Sequence, residues 1–285
     1  MRKKLRDKLS PLPKVGGSVG FYNSFDIVGD IAITKLPKPS LEVACVVAEA
    51  ILNCNRGVKT ILVQESGIDG DYRLRKLTCV GGEEKTRTVH KEHGCTFAVD
   101  VGTCYFSPRL SGERLRIAKI VQPGETVVNM FAGVGCFSIL IAKNVPTAKV
   151  YSIDINPKAF EFMQENVVAN HLVGQVFPLL GDAKTQIEAQ LCGVADRVLM
   201  PLPEKALEYL PCAVSALKTT GGWLHVHLFE HSKKIECAIE NGEARIAGVL
   251  GSMDVSFEFG VAREVRSIGP NWSQIVVDVR VVPRV

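Results

Sequence analysis

Short apolar runs alternate with longer segments of helical spacing along this chain, most regularly after residue 120. VVNMFAGVGCFSILIA, residues 127–142, reads as a buried strand, a tight turn carrying Gly133 and Gly135, then a helix. KVYSID is a second strand, ending in Asp154. Asn156-Pro157 predicts a capped helix start, and Phe160, Met163 and Val167 mark that helix's apolar face. VFPLLGDA is a third strand with Asp182 at its end, and DRVLMPLP a fourth that runs into a Pro-rich turn. A helix over 206–217, the strand WLHVHLF and a helix near 232–248 continue the series. Two closing strands, VSFEFGVAREV and QIVVDVRVV, joined through residues 268–271, predict an antiparallel edge. The whole predicts an α/β fold: a mostly parallel sheet with helices on both faces.

The first hundred residues have a different pattern. FDIVGDIAITKL reads as a hairpin turning at Gly29 and Asp30. SLEVACVVAEAILNC has helical periodicity with Ser40 as N-cap, and TILVQES is a strand. The glycine-rich segment 67–82 is predicted to be a mobile loop. TRTVHKEHGCTFAVDVGTCYF reads as two strands joined at His93-Gly94, and SPRLSGERLRIAKI turns helical after Pro108. The expected organisation is a basic flexible segment over 1–20, a smaller α+β domain over 21–104 and the α/β domain over 105–285.

Composition narrows the class. A hydrophobic fraction of 46% over 285 residues supports a sizeable core. No apolar run approaches the length of a membrane span, and the charged start MRKKLRDKLS has no apolar stretch behind it. Nine cysteines without a C-x-x-C pair argue for reduced thiols in a cytoplasmic protein, with neither a disulfide framework nor a zinc site. The net charge of +4 is uneven: residues 1–10 carry five Lys/Arg against one Asp. Further basic clusters surround Arg73, Arg75 and Lys76, and Arg109, Arg114 and Arg116. Basic segments beside a cofactor domain suggest a polyanionic substrate, although charge runs are usually solvated faces.

The Gly turn carries the first chemical signal. Glycine supplies positive φ or close backbone approach where a strand reverses into a helix. Asp154 falls about twenty positions after Gly133, where a carboxylate accepts hydrogen bonds from ribose hydroxyls. NAD enzymes and S-adenosylmethionine (SAM) methyltransferases share this layout. The turn F-A-G-V-G lacks the third Gly that packs helix on strand beside a pyrophosphate, which favours SAM. Cofactor contacts are therefore expected at Phe131, Gly133, Gly135, Asp154, Ile155, Asp182, Ala183 and Leu202, all at carboxyl ends of predicted strands. The alternative is an ordinary strand-to-helix turn with structural glycines.

GDYRLRKL, RTVHKEHGCTFAVDVGTCYFSPRLSGER and VNMFAGVGCFSI, with FDIVGDIAI and DRVLMPLP, resemble the archaeal and eukaryotic tRNA (guanine-37, N1)-methyltransferase family. The resemblance runs in order through most of residues 25–285, and the YFSPRLSGER block lies outside the generic SAM fold. It implies a Rossmann-like class I SAM methyltransferase domain preceded by an RNA-binding domain, and a monomer acting on the tRNA anticodon stem-loop without metal or membrane. Carried to matching positions, the family's roles put Arg73 near guanine O6, Glu113 as general base, and Arg114, Asp154 and Asp182 around SAM. Tyr105 is expected to pack on the cofactor or the base. The residues also allow a plainer reading of Glu113, as a helix-starting acid paired with Arg116.

Departures from the family pattern keep a rival open. Pro201-Leu202-Pro203 stands where Asn-Leu-Pro is usual, and Pro offers the base only its carbonyl. Asn129 stands where Asp is common, and an N-terminal tRNA-gripping domain of many members is not matched. The rivals are wybutosine-pathway enzymes of position 37, which methylate carbon 7 of a tricyclic guanine or transfer the aminocarboxypropyl arm of SAM. A non-catalytic tRNA-binding protein is the reading from another class. His225 and His227 share a strand face and are expected to be core or rim histidines more than metal ligands. Trp272 fits either base stacking or a capped sheet edge.

Overall fold

The computed structural model describes residues 25–36 and 41–283; the predicted cap Ser40 and the basic first twenty residues lie outside that range. Two compact units divide the chain, Met1–Pro108 and Arg109–Val285.

In the first unit, β1 (Phe25–Val28) and β2 (Ile31–Thr34) form the predicted hairpin around Gly29. The helix α1 (Leu41–Cys54) carries the chain across to β3 (Thr60–Gln64), which pairs parallel to β2. Its apolar face, Ala44, Val47, Ala48 and Ile51, packs with Ala32, Ile61 and Val63 in one core. The expectation of a loop through residue 82 is corrected. Leu77–Gly82 is a strand, β4, paired antiparallel to β3. Its glycines serve packing: a Cβ on Gly81 would meet the Ala48 Cβ at 2.8 Å, and one on Gly82 would meet the Lys59 carbonyl at 1.9 Å. β5 (Arg87–Glu92) and β6 (Cys95–Asp100) make a second hairpin, turning at His93-Gly94 as predicted.

In the second unit a helix, α2 (Ser111–Ile120), precedes a seven-stranded sheet. Five strands run parallel: β7 (Thr126–Asn129), β8 (Lys149–Asp154), β9 (Val176–Leu180), β10 (Arg197–Met200) and β11 (Gly222–His231). β12 (Val255–Gly269) and β13 (Trp272–Pro283) are antiparallel, and the sheet order is β12-β13-β11-β10-β7-β8-β9. The later strand, β13, thus lies inside the sheet. Strand order reverses between β7 and β10, where such sheets open their ligand crevice.

Two helical layers cover the sheet. Leu224, Val226 and Leu228 of β11 join Leu210 and Ala213 of α6 (Ala206–Ala216) and Ala238 and Ile246 of α7 (Ile235–Leu250) in one apolar cluster. The alternate residues His225 and His227 point to the other face, as the period-two geometry of a strand requires. There they meet the layer of α2 and α3 (Cys136–Asn144): His225 through Asp278 and Arg116, His227 through the ring of Phe137. α4 (Pro157–Ala169) follows β8; Asn156 caps it by accepting from the Lys158 N–H at 2.9 Å, with Pro157 in its first turn. A short helix, α5 (Ala183–Gln186), follows β9 and is capped by Asp182.

Candidate active site

A candidate cofactor cradle is built from the ends of β7, β8 and β9. After β7 the chain turns through Gly133 (φ 57°) and Gly135 (φ 90°), and α3 begins. The left-handed backbone at Gly135 is one that side chains strain to adopt. A Cβ there would also meet Met163 Cγ at 3.0 Å and Ile139 Cδ1 at 3.2 Å. Asn166 fixes the turn by donating to the Val134 carbonyl at 3.0 Å. The Gly133 N–H donates to Asp154 Oδ2 at 2.6 Å, and the Asn156 N–H to Oδ1 at 2.9 Å. Burial raises the Asp154 carboxyl above its ordinary value, although these two N–H groups pull the other way.

These residues fit SAM. Asp154 spends one bond on each oxygen and keeps lone pairs for a ribose diol. Ile155, just past β8, and Leu180, the last residue of β9, are 43% and 42% exposed and present apolar surface at the ends of adjacent strands, suited to a flat purine. Asp182 is more committed than its sequence position suggested. Oδ1 caps α5 through the Lys184 and Thr185 N–H groups, and Oδ2 accepts from the Tyr209 hydroxyl. Tyr209 also meets Phe131 edge-on, with ring centroids 5.3 Å apart, while Ala183 is buried behind them. Asn129, buried at the end of β7, donates to Ser138 Oγ and leaves its Oδ1 without a protein partner, an acceptor suited to a cationic amine.

Glu113 sits in the first turn of α2, its side chain fully buried. Arg116, one turn on, brackets it: Nε lies 3.1 and 2.9 Å from the two carboxylate oxygens and Nη2 lies 2.8 Å from Oε1. The pairing with Arg116 that the spacing allowed is therefore present. The same guanidinium reaches Asp278 on β13, Nη1 to Oδ2 at 2.6 Å and Nη2 to Oδ1 at 2.9 Å. Asp278 Oδ1 is 2.5 Å from His225 Nδ1, and Arg197 Nη1 is 2.8 Å from His225 Nε2. A guanidinium only donates, so Nε2 accepts and Nδ1 carries the proton given to Asp278. Arg197 in turn is paired with Glu125.

Burial lifts the Glu113 carboxyl above the usual range; Arg116 and Arg263 oppose the lift and Asp278 adds to it. Asp278 itself is held far below its ordinary value, because its bonds to His225 and Arg116 outweigh burial. Arg116 directs two N–H groups at Glu113, the single Nε hydrogen shared between both oxygens, so lone-pair capacity stays available for a proton. This arrangement is chemically a shielded carboxylate of raised basicity.

The other predicted residues fall as follows. Arg114 is buried beside Glu113 in α2. Leu202 lies half-buried in the turn after β10, with Pro201 before it. Within the first unit Arg73 and Tyr105 come together, the guanidinium 4.5 Å above the ring centroid. Arg73 has φ 55°, an uncommon conformation for a long side chain and one that tends to mark functional sites. His225, expected as a core or rim histidine, is buried and has a carboxylate partner in Asp278. The lone Asp in the apolar run QIVVDVRVV was the available signal. Tyr209 carried no signal in the sequence.

The TRM5/TYW2 methyltransferase domain matches residues 88–247, more than half of the chain, and the TYW2 N-terminal domain matches residues 19–86. The chain belongs to the TRM5/TYW2 methyltransferase family. Pyrococcus abyssi Trm5b, a tRNA (guanine(37)-N(1))-methyltransferase, is 39% identical over 259 residues, spanning 90% of this chain and 74% of that protein. Saccharolobus solfataricus Taw21, a tRNA 4-demethylwyosine(37)-methyltransferase, is 36% identical over 262 residues, spanning 91% of this chain and 94% of that protein. The structure of aTrm5 in complex with tRNALeu superposes with a TM-score of 0.82 at 31% identity, covering 98% of this chain and 78% of that one. The TRM5/TYW2 chain is thus a SAM-dependent enzyme, as the cradle at Asp154 fits. Among the described residues no helix is long and apolar enough to cross a membrane.

Proposed function

We propose that the protein is a cytoplasmic, monomeric methyltransferase that modifies N1 of guanine at position 37 of tRNA. The observation that carries this reading is Glu113: a buried carboxylate, raised in basicity, on the helix that leads into the SAM domain. Guanine N1 bears a proton and is a poor nucleophile until that proton leaves. Glu113 takes it, with a contribution on the order of 10²–10⁴-fold. SAM, when bound, supplies the methyl group: the N1–carbon bond forms as the carbon–sulfur bond breaks. Arg73, assigned by resemblance to O6, stabilises the negative charge left on the base. The unit Met1–Pro108, or residues 21–104 of it, is assigned to tRNA binding and the remainder to SAM and chemistry.

A second reading is methylation of carbon 7 of a tricyclic guanine. Pro201 favours it, since an Asn side chain is missing where the base is read, and so does the likeness to Taw21. Transfer of the aminocarboxypropyl arm is disfavoured by the intact S-G-E-R block, which keeps a base for N1. One assay separates these: labelled methyl-SAM with tRNA bearing guanine, adenine or the tricyclic precursor at position 37, followed by nucleoside mass analysis. N1-methylguanosine from the guanine substrate alone supports the first reading. Product only from the tricyclic substrate sinks it.

A further inference from the structure

β11 pairs with β10 only as far as Val226, opposite Met200, but with β13 as far as His231, opposite Trp272. Five residues, 227–231, therefore rise past the end of β10, about 16 Å at the usual rise per residue. This makes a wall beside the turn that holds Pro201 and Leu202. Its two faces differ sharply. One carries Glu230, which is paired with Arg245, and Glu264, which accepts from Ser273. The other is the face of His225, His227 and Asp278, toward which Glu113 and Arg116 project.

Strand register fixes what else lies on that second face. His231 is opposite Trp272, Arg266 is opposite Gln274, and Arg263 is opposite Val276. Arg266 Nε donates to Gln274 Oε1 at 2.8 Å, and the charge of Arg263 is felt at Glu113. At the tip, Trp272 is 44% exposed and tilted 50° against His231, with ring centroids 5.1 Å apart. Exposed Lys233 and Lys234 follow His231 after Ser232. From Glu113 outward, this face thus runs from a carboxylate through two arginines to an open indole.

We propose that Arg263, Arg266, His231 and Trp272 form a seat for single-stranded RNA, in which an unpaired nucleotide beside the target base stacks on Trp272 and backbone phosphates lie along the arginines. The inference rests on the reading of tRNA as substrate. Stacking platforms flanked by cations are how proteins hold unpaired nucleotides with little sequence preference. The wall places such a platform on the same sheet face as the carboxylate that takes the target's proton.

The test uses the full chain with Trp272→Ala, Trp272→Phe and Arg266→Gln. Trp272→Ala is expected to raise KM for tRNA roughly 5- to 150-fold, the range base–aromatic stacking carries. SAM affinity and kcat at saturating tRNA stay unchanged, and Trp272→Phe recovers most of the loss. Arg266→Gln reduces the slope of log Kd for an anticodon stem-loop against log salt by about one. An unaltered KM in Trp272→Ala overturns the seat while leaving the tRNA reading intact. So does a parallel loss of SAM binding and thermal stability, or a shift in oligomeric state, which make Trp272 an edge cap or a subunit contact. A wild-type chain that binds neither tRNA nor stem-loop overturns both readings.

Discussion

Arg116 grips Asp278 through two nitrogens while the same guanidinium brackets Glu113. The two carboxylates compete for one cation, so each sets the other's basicity. Removing the Asp278 charge in Asp278→Asn leaves Arg116 to Glu113 alone, which lowers the Glu113 pKa. The acid limb of the kcat–pH profile is expected to move to lower pH by about one unit. Arg116→Met moves it the opposite way. Glu113→Gln removes the limb and lowers kcat by about 10²–10⁴-fold without weakening SAM. Breaking a buried pair costs about 3–5 kcal/mol, so rates are read well below the melting temperature. A limb that stays in place in Asp278→Asn would make that aspartate a structural strut only.

His225 and His227 are fully buried, and burial holds both below their ordinary value, His227 at about 3. In the unfolded chain they take up protons below about pH 6.5. The unfolded state therefore binds more protons between that pH and the folded value, and stability falls as pH falls through this window. The expected slope is roughly 1.4 kcal/mol per pH unit for each histidine. The depressed Asp278 carboxylate adds its own loss only below about pH 4. The raised carboxyls of Glu113 and Asp154 oppose the histidines as pH falls, so denaturant melts between about pH 7.5 and 4.5 are read as the difference between wild type and His227→Gln, expected to be about one proton. Parallel slopes in wild type and variant would show that His227 is protonated in the fold.

Gly135→Ala combines a left-handed backbone with a Cβ pressed on Met163 and Ile139. It is expected to cost about 1–3 kcal/mol and to weaken SAM, because the turn also places the Gly133 N–H on Asp154. Gly112→Ala, where a Cβ meets nothing within 4 Å, is the matched control. Calorimetry of SAM binding and thermal melts decide it; equal behaviour of the two variants would refute the role given to the turn.

Pro201 bears on which base is modified. Pro201→Asn restores a side-chain donor and acceptor and, on the N1 reading, raises kcat/KM for guanine-37 tRNA about ten-fold, the effect of one hydrogen bond of about 1.4 kcal/mol. A fall with unmodified tRNA would indicate that the native Pro already suits the substrate.

Much of this was legible in the sequence because it is local. The Gly turn, Asp154 at the end of β8 and the Asn156-Pro157 cap are set by neighbouring residues. Even the Glu113–Arg116 pair follows from helix spacing. Asp278, 162 positions from Arg116, does not. Its contact depends on β13 entering between β12 and β11, a choice of strand order that periodicity leaves open. The end of the expected loop, residues 77–82, is a strand for the complementary reason. Gly81 and Gly82 suggest freedom in sequence, whereas in the fold they admit Ala48 and the Lys59 carbonyl at distances no side chain tolerates.

The insertion of β13 has a consequence for synthesis. The parallel strands and the Gly turn emerge from the ribosome well before residues 272–283. A nascent chain can therefore assemble a pocket for SAM while Arg116 still lacks its second carboxylate and Glu113 its settled basicity. On the reading of Glu113 as the base, turnover is expected to wait for this late strand, since its Asp278 shares Arg116 with that carboxylate.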